Sequence, residues 1–435
     1  MTTSDFQMTG GYAPVHDELT AYDLPVTGAL PPELTGWYLR NGPNPRQASA
    51  HWFTGEGMIH GVRLEHGRAA WYRNRWVRTE SFDRPEAVLY NADGSRNLRN
   101  GEANTHVVNH AGRTLALVES SLPYEITREL ETVGPYDFGG ELADSMTAHP
   151  KICPETGELH FFGYGSLTTP HVSYYRADAA GNLVVKQPID VPGLTMMHDF
   201  ALTRAHVVFF DLPVVFDRAS VGRGIPYSWN EAYGARLGVL RRDDPAGGVR
   251  WLSIDPCYVF HTLNAHDTAD GRIVLHVVRY DHMFAPGRPQ PDGTLWRWTI
   301  DPAAGTVTED RLDDRRAEFP RIDDRLAGAD SRFGHLTASR GPEERSSLLR
   351  HDLHTGAVEE HRFETGRIPG EAVFVPADET PGGAGWLLTY VYDATADSSD
   401  LVVLDAQNVA APPVATVHLP QRVPAGFHGN WLPDA

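Results

Sequence analysis

Lysine is nearly missing: among 435 residues only Lys151 and Lys186 occur, and every other basic side chain is an arginine or a histidine. A role that needs an ammonium beside a substrate therefore has almost no candidates. Positive charge is outnumbered, 38 Lys+Arg against 57 Asp+Glu for a net charge of −19, and no basic cluster interrupts the acidic background. That balance argues against a nucleic acid or an anionic membrane held by charge, since either needs a basic face. Cysteine stops at Cys153 and Cys257, read here as structural free thiols. The longest apolar region, 207–216, is broken by Asp211 and Pro213 and falls far short of the ~20 residues of a spanning helix. The start, Met1-Thr2-Thr3-Ser4-Asp5-Phe6-Gln7, has neither the basic residues nor the apolar stretch of a secretory signal, so a cytoplasmic location is expected. No Gly-rich dinucleotide fingerprint is found, which leaves no sign of a nicotinamide or flavin cosubstrate.

Helical periodicity is scarce as well; Tyr124 to Thr132 is the one stretch that reads as a short helix. Short strand-like runs fill the rest, beginning with Gly36-Trp37-Tyr38-Leu39-Arg40-Asn41 before a Pro/Gly turn. A turn with glycine ahead of the returning strand recurs at Gly67, Gly157, Gly181, Gly305 and Gly356, where tight hairpins call for positive φ. The segment from Asp378 to Gly385 reads as a surface loop, and nothing divides the chain, so residues 1–435 are taken as a single domain. An all-β fold of many hairpins at this length is most economically a seven-bladed β-propeller of about 60 residues per blade, with a pair of β-sandwiches as the alternative.

Four histidines lie beside strand-like runs: His149 in Met146-Thr147-Ala148-His149-Pro150, His198 in Met196-Met197-His198-Asp199-Phe200, His261 in Val259-Phe260-His261-Thr262 and His428 in Phe427-His428-Gly429-Asn430-Trp431. Their intervals of 49, 63 and 167 residues correspond to about one, one and three blades at repeat lengths of ~40 to 60. Equivalent inner strands would send all four rings to one axis, giving an axial metal site. Four neutral imidazoles suit Fe, Cu, Ni or Zn and not Mg or Ca, which want oxygen. Such ligands need acceptors for their second ring N–H, usually carboxylates. Acidic residues stranded among apolar ones are Glu119 after Ala116-Leu117-Val118, Glu318 before Phe319-Pro320, and Glu371 before Ala372-Val373-Phe374.

With Leu39-Arg40-Asn41-Gly42-Pro43-Asn44-Pro45, His51-Trp52-Phe53-Thr54-Gly55-Glu56-Gly57 and the histidine motifs laid out, the chain resembles the carotenoid cleavage oxygenases over nearly its full length. That family also holds stilbene-cleaving dioxygenases and a retinoid isomerase. The resemblance implies an Fe(II) on the axis of a seven-bladed propeller beneath a dome of loops and helix, bound by His149, His198, His261 and His428. It implies that Glu119, Glu318 and Glu371 accept hydrogen bonds from three of these rings, and that Thr105, in Ala103-Asn104-Thr105-His106, sits against one vacant iron position. The reaction implied is O2-dependent cleavage of a C=C bond into two carbonyl products.

Relatives that cleave phenolic alkenes commonly place a lysine just before the first of these glutamates, together with a tyrosine. Here that place is Val118; an arginine or a tyrosine is the alternative for the role, and Tyr90 lies in the right general region. The loss favours an apolar carotenoid or apocarotenoid over a stilbene or phenylpropene, with Phe53, Phe260 and Phe427 as further expected contacts. Two runs, Pro213-Val214-Val215-Phe216 and Ile225-Pro226-Tyr227-Ser228-Trp229, are candidates for peripheral membrane contact. A non-oxidative isomerase on the same iron site and a propeller serving as a scaffold or calcium hydrolase are the competing classes. Oligomeric state is not legible.

Overall fold

The computed structural model describes residues 8–49, 51–84, 86–88, 91–92, 95–221 and 224–434. Its strands form a ring of seven antiparallel sheets, a β-propeller. The inner strands of the first six blades are, in order, His106–His110, Lys151–Ile152, Phe200–Leu202, Tyr258–Asp267, Glu318–Arg321 and Val373–Pro376. The seventh is built from both ends of the chain: Gly429–Pro433 is its inner strand, paired with Gly36–Pro43, which continues into Gly57–Glu65 and Arg68–Trp76. A second stitch adds Val26–Gly28 to the outer edge of the sixth blade, against Ala415–His418.

Burial along the strands follows from their place in a blade. Leu159–Tyr164, second in its blade, is buried at all six positions because neighbouring blades cover both of its faces. The outer strand Leu183–Ile189 instead alternates between half-buried and exposed up to Pro188, the period of a strand with one wet face. At the five glycine turns the backbone has φ between 69° and 87°, as tight hairpins require. The segment from Tyr124 to Thr132 is not helical. Tyr124–Ile126 and Thr132–Pro135 are strands, and Leu130 takes a left-handed φ of 67° between them, which no helix tolerates. Among the described residues the α-helical element is the four-residue Glu80–Asp83, joined by five 3-10 helices of three residues each, one of which, Arg218–Ser220, lies within a hairpin.

That hairpin pairs Val214–Phe216 with Tyr227–Trp229, bringing together the two apolar runs singled out for membrane contact. Val214 is buried and the rest are half-buried. Both cysteines are buried and unbridged, and among the described residues no helix is long and apolar enough to cross a membrane.

Candidate metal centre

Each blade presents one short segment, at or near the start of its inner strand, to the same end of the ring axis. These segments carry Thr105 and His106 from the first blade, His149, His198 and His261 from the next three, Glu318 from the fifth, Glu371 from the sixth and His428 from the seventh. Sequence spacing thus becomes angular spacing. Ring centroids of His149 lie 4.5 Å from His198, 5.0 Å from His261 and 4.6 Å from His428, while His198–His261 and His261–His428 are 5.2 and 4.7 Å apart. Nε2 of His149 and Nε2 of His198 are 3.0 Å apart.

On three of the four rings the outward nitrogen faces a carboxylate. Nδ1 of His261 donates to Glu318 Oε2 at 2.6 Å, Nδ1 of His428 donates to Glu371 Oε1 at 2.9 Å, and Glu119 lies against Nδ1 of His198. Further groups hold these carboxylates. Tyr164 donates to Glu119, Tyr280 to Glu318 at 2.8 Å, and both the Gly429 amide and Arg321 to Glu371 at 2.8 and 3.0 Å. None of these four donors was singled out from the sequence. Tyrosines in strands read as core, and Arg321 lies fifty residues from the glutamate it meets.

Electrostatics prepare two of the rings as neutral donors. Burial, reinforced by the neighbouring imidazoles, holds His149 and His428 well below the usual histidine range, and hence neutral. Burial pulls His261 down too, but the charges of Glu318, Asp199 and Glu371 outweigh it and leave it raised. Nε2 of His261 is buried with no hydrogen-bond partner. A buried, orphaned ring nitrogen inside a ring of imidazoles, with carboxylates fixing the opposite nitrogens, fits a borderline divalent metal ion. His149, His261 and His428 bring their donor atoms within 4.8 Å of one another, as do Glu119, His149 and His198.

Thr105 is buried, its hydroxyl donating to Asn104 Oδ1 at 2.9 Å and its carbonyl accepting from the His428 amide at 3.1 Å. His106, unremarked in the sequence, lies behind the cluster with its ring 5.3 Å from His428; burial, with help from His428, pushes its pKa down to about 3. Over the metal end the expected aromatic contacts converge. Phe53 meets Phe260 and Phe427 edge-on at 6.0 and 5.6 Å, and Phe260 stands edge-on to His198 at 5.1 Å. Phe284 joins them, 6.2 Å from Phe260. Phe319, at a left-handed φ of 52°, stacks on His261 at 5.7 Å and stands 5.5 Å from His428. Val118 is half-buried, and Tyr90 lies outside the described residues. Lys151 is committed elsewhere, bonding the buried Asp199 at 2.8 Å, and Lys186 sits in the outer strand of the second blade.

A family model described as retinal pigment epithelial membrane protein matches residues 12–433. The carotenoid cleavage oxygenase of Mycobacterium tuberculosis is 41% identical over 98% of this chain and 97% of that protein. The chain belongs to the carotenoid cleavage oxygenase family. It is an enzyme of the dioxygenase type found in that family. Members of the carotenoid cleavage oxygenase family similar to it carry the names of different activities. An isoeugenol monooxygenase of Pseudomonas nitroreducens is 31% identical over 100% of this chain and 99% of that protein. The crystal structure of Pseudomonas brassicacearum lignostilbene dioxygenase superimposes with a TM-score of 0.90 at 29% identity, covering 98% of both chains.

Proposed function

We propose that this chain, acting as one unit over residues 1–435, is a non-haem Fe(II)-dependent dioxygenase that cleaves a C=C bond of a carotenoid or apocarotenoid. His149, His198, His261 and His428 are its iron ligands; Glu119, Glu318 and Glu371 fix three of those rings. The observation that carries the reading is the convergence of four imidazoles whose outward nitrogens are held by carboxylates at three positions. Bound Fe(II) supplies the chemistry that lets O2 react with a closed-shell alkene, so that C=C and O2 become two C=O groups with no added reductant.

The protein's share is positioning and dryness. Phe53, Phe260, Phe427 and Phe284 offer ring edges and faces to a flat conjugated chain and keep water from the reacting bond. Thr105 narrows one side of the metal position. Val118 presents a methyl-bearing surface where a phenol-binding lysine would stand, and Lys151 is held by Asp199, so a phenolate finds no ammonium. The apolar hairpin over the site suits brief contact with a lipid surface that stores such substrates.

A second reading, cleavage of a stilbene or phenylpropene by the same chemistry, draws support from the similarity to the isoeugenol monooxygenase and the lignostilbene dioxygenase. Aerobic incubation of the Fe(II)-loaded protein with an apocarotenal, a hydroxystilbene and a phenylpropene, with aldehydes read by mass spectrometry, separates the two. Cleavage of the apocarotenal alone is expected; cleavage of the phenolic compounds alone replaces it with the second reading. No cleavage by iron-loaded protein, with double-bond isomerisation in its place, turns the assignment to an isomerase. His198→Ala is expected to lose iron and activity together, and a fully metallated, active variant overturns the ligand set.

A further inference from the structure

Three of the four rings at the axis are oriented by a carboxylate on Nδ1; among the described residues His149 has none hydrogen-bonded there. Its orientation has to come from the backbone that carries it, and that backbone is clamped by a neighbour. Nδ1 of His106 lies 2.8 Å from the carbonyl oxygen of Ala148, the residue immediately before His149. A carbonyl only accepts, so His106 carries its proton on Nδ1 and donates. The amide of His149 meets Thr147 Oγ1 at 3.2 Å, which fixes the same peptide segment from its other side.

His106 is itself held from the seventh blade. Asn41 Nδ2 donates to the carbonyl of His106 at 3.2 Å and to that of Ala103 at 2.8 Å, while the Asn41 amide donates to the carbonyl of His428 at 3.0 Å. Three consecutive residues of the first blade therefore tie three parts of the site together. Asn104 bonds the carbonyls of Phe53 and Gly55, Thr105 accepts from the His428 amide, and His106 grips Ala148. The ring of His106 lies 6.2 Å from that of His149 and 5.3 Å from that of His428, and its Nε2 is buried without a partner.

We propose that His106 is the positioning residue for His149, doing through the Ala148 carbonyl what Glu119, Glu318 and Glu371 do directly for the other three rings. The first blade, which gives no ligand to the axis, thereby sets the angle at which His149 meets the metal. The inference rests on the four-histidine metal site proposed above.

Co(II) is the probe, because its visible spectrum reports ligand geometry without turnover. The metal-free protein and the variants His106→Leu, which loses the donor, and His106→Asn, which keeps an N–H near Ala148, are titrated with Co(II) and melted without metal. His106→Leu is expected to bind Co(II) about 10- to 100-fold more weakly, the usual cost of losing an orienting partner, and to shift its absorption bands; His106→Asn restores both. Wild-type affinity and an unshifted spectrum in His106→Leu overturn the proposal. So does a His106→Asn variant as impaired as His106→Leu, or a spectrum of unchanged shape with only the metal-free melting temperature lowered. Should His106→Leu fail to fold, His106→Phe takes its place with the same expectations. Wild-type protein that takes up no Co(II) overturns the metal reading itself, whereas normal uptake by wild type and His106→Leu alike removes only the role of His106.

Discussion

Asp199 holds three blades together behind the metal-facing end of the axis. It is 1% exposed and accepts from Lys151 Nζ at 2.8 Å, from the Thr262 amide at 2.8 Å and from the Thr262 hydroxyl at 2.9 Å, so the second, third and fourth blades meet on one carboxylate. Removing the cation strands a buried charge, which typically costs about 3–5 kcal/mol. Lys151→Met is therefore expected to lower the urea midpoint by a corresponding amount, whereas a change within error would show that water already solvates Asp199. Val118→Lys tests the other side of the lysine shortage. An ammonium at that half-buried position should reduce apocarotenal cleavage and raise cleavage of a hydroxystilbene, read as the ratio of kcat/KM values; an unchanged ratio removes Val118 from the specificity argument. At this scale the sequence was readable where chemistry is unusual. Four histidines and three glutamates stood out because polar groups among apolar runs need a reason. Tyr164, Tyr280 and His106 did not, because an aromatic or histidine in a strand has an ordinary reason to be there, and their partners lie 38 to 45 residues away.

At the scale of the strand, Gly238 shows how the blades fit their large rings. It faces Trp251 across the sheet, and a Cβ at Gly238 would stand 2.6 Å from both the Trp251 ring and Val249. Arg236 lies over the indole at 4.0 Å. Gly238→Val has to displace the indole, and overpacking of this kind costs about 1–3 kcal/mol. A lower melting temperature with unchanged Co(II) binding is expected, since the third blade's metal-facing segment lies at the other edge of the sheet. The misread stretch at 124–132 belongs to this scale too. Its composition suits a helix, but Tyr124 and Ile126 are both buried with Glu125 half-buried between them, the alternation of a strand, and three residues are too few for that alternation to be legible. The five glycine turns were legible because each needs one residue type at one place.

For the whole molecule, a store of buried neutral histidines sets an acid limit. Burial is the first cause in each case: it lowers His160 to about 2, His335 to about 3 and His276 to about 4. Arg242 and Arg176 press in the same direction on His160, and His266 with Arg297 on His276. A depressed folded pKa means that the unfolded chain takes up the proton first. The stability these rings contribute is complete above about pH 6.5 and is lost as pH falls through that value towards the folded pKa, at up to about 1.4 kcal/mol per pH unit for each ring. The urea midpoint of metal-free protein should fall steeply between pH 7 and pH 5; a flat profile would mean that these rings are already charged or solvated. The propeller itself was legible because the intervals between four histidines count blades. What spacing could not show is that the first, fifth and sixth blades also send residues to the same end of the axis, since Thr105, Glu318 and Glu371 carry no common motif.

The seam that closes the ring has a mechanical consequence. Gly36 pairs with Pro433 and Arg40 with Gly429, so the two strands leave the seam side by side. Tension applied to the two ends of the chain has first to peel Val26–Gly28 from Ala415–His418, and then loads the hydrogen bonds of the seam one at a time, as in opening a zipper, rather than all together in shear. The tear would then run from Gly36 towards Arg40 and arrive next at His428, so under force the axial site is the first functional part of the molecule to open, while the first five blades remain paired and the sixth has lost only its edge strand.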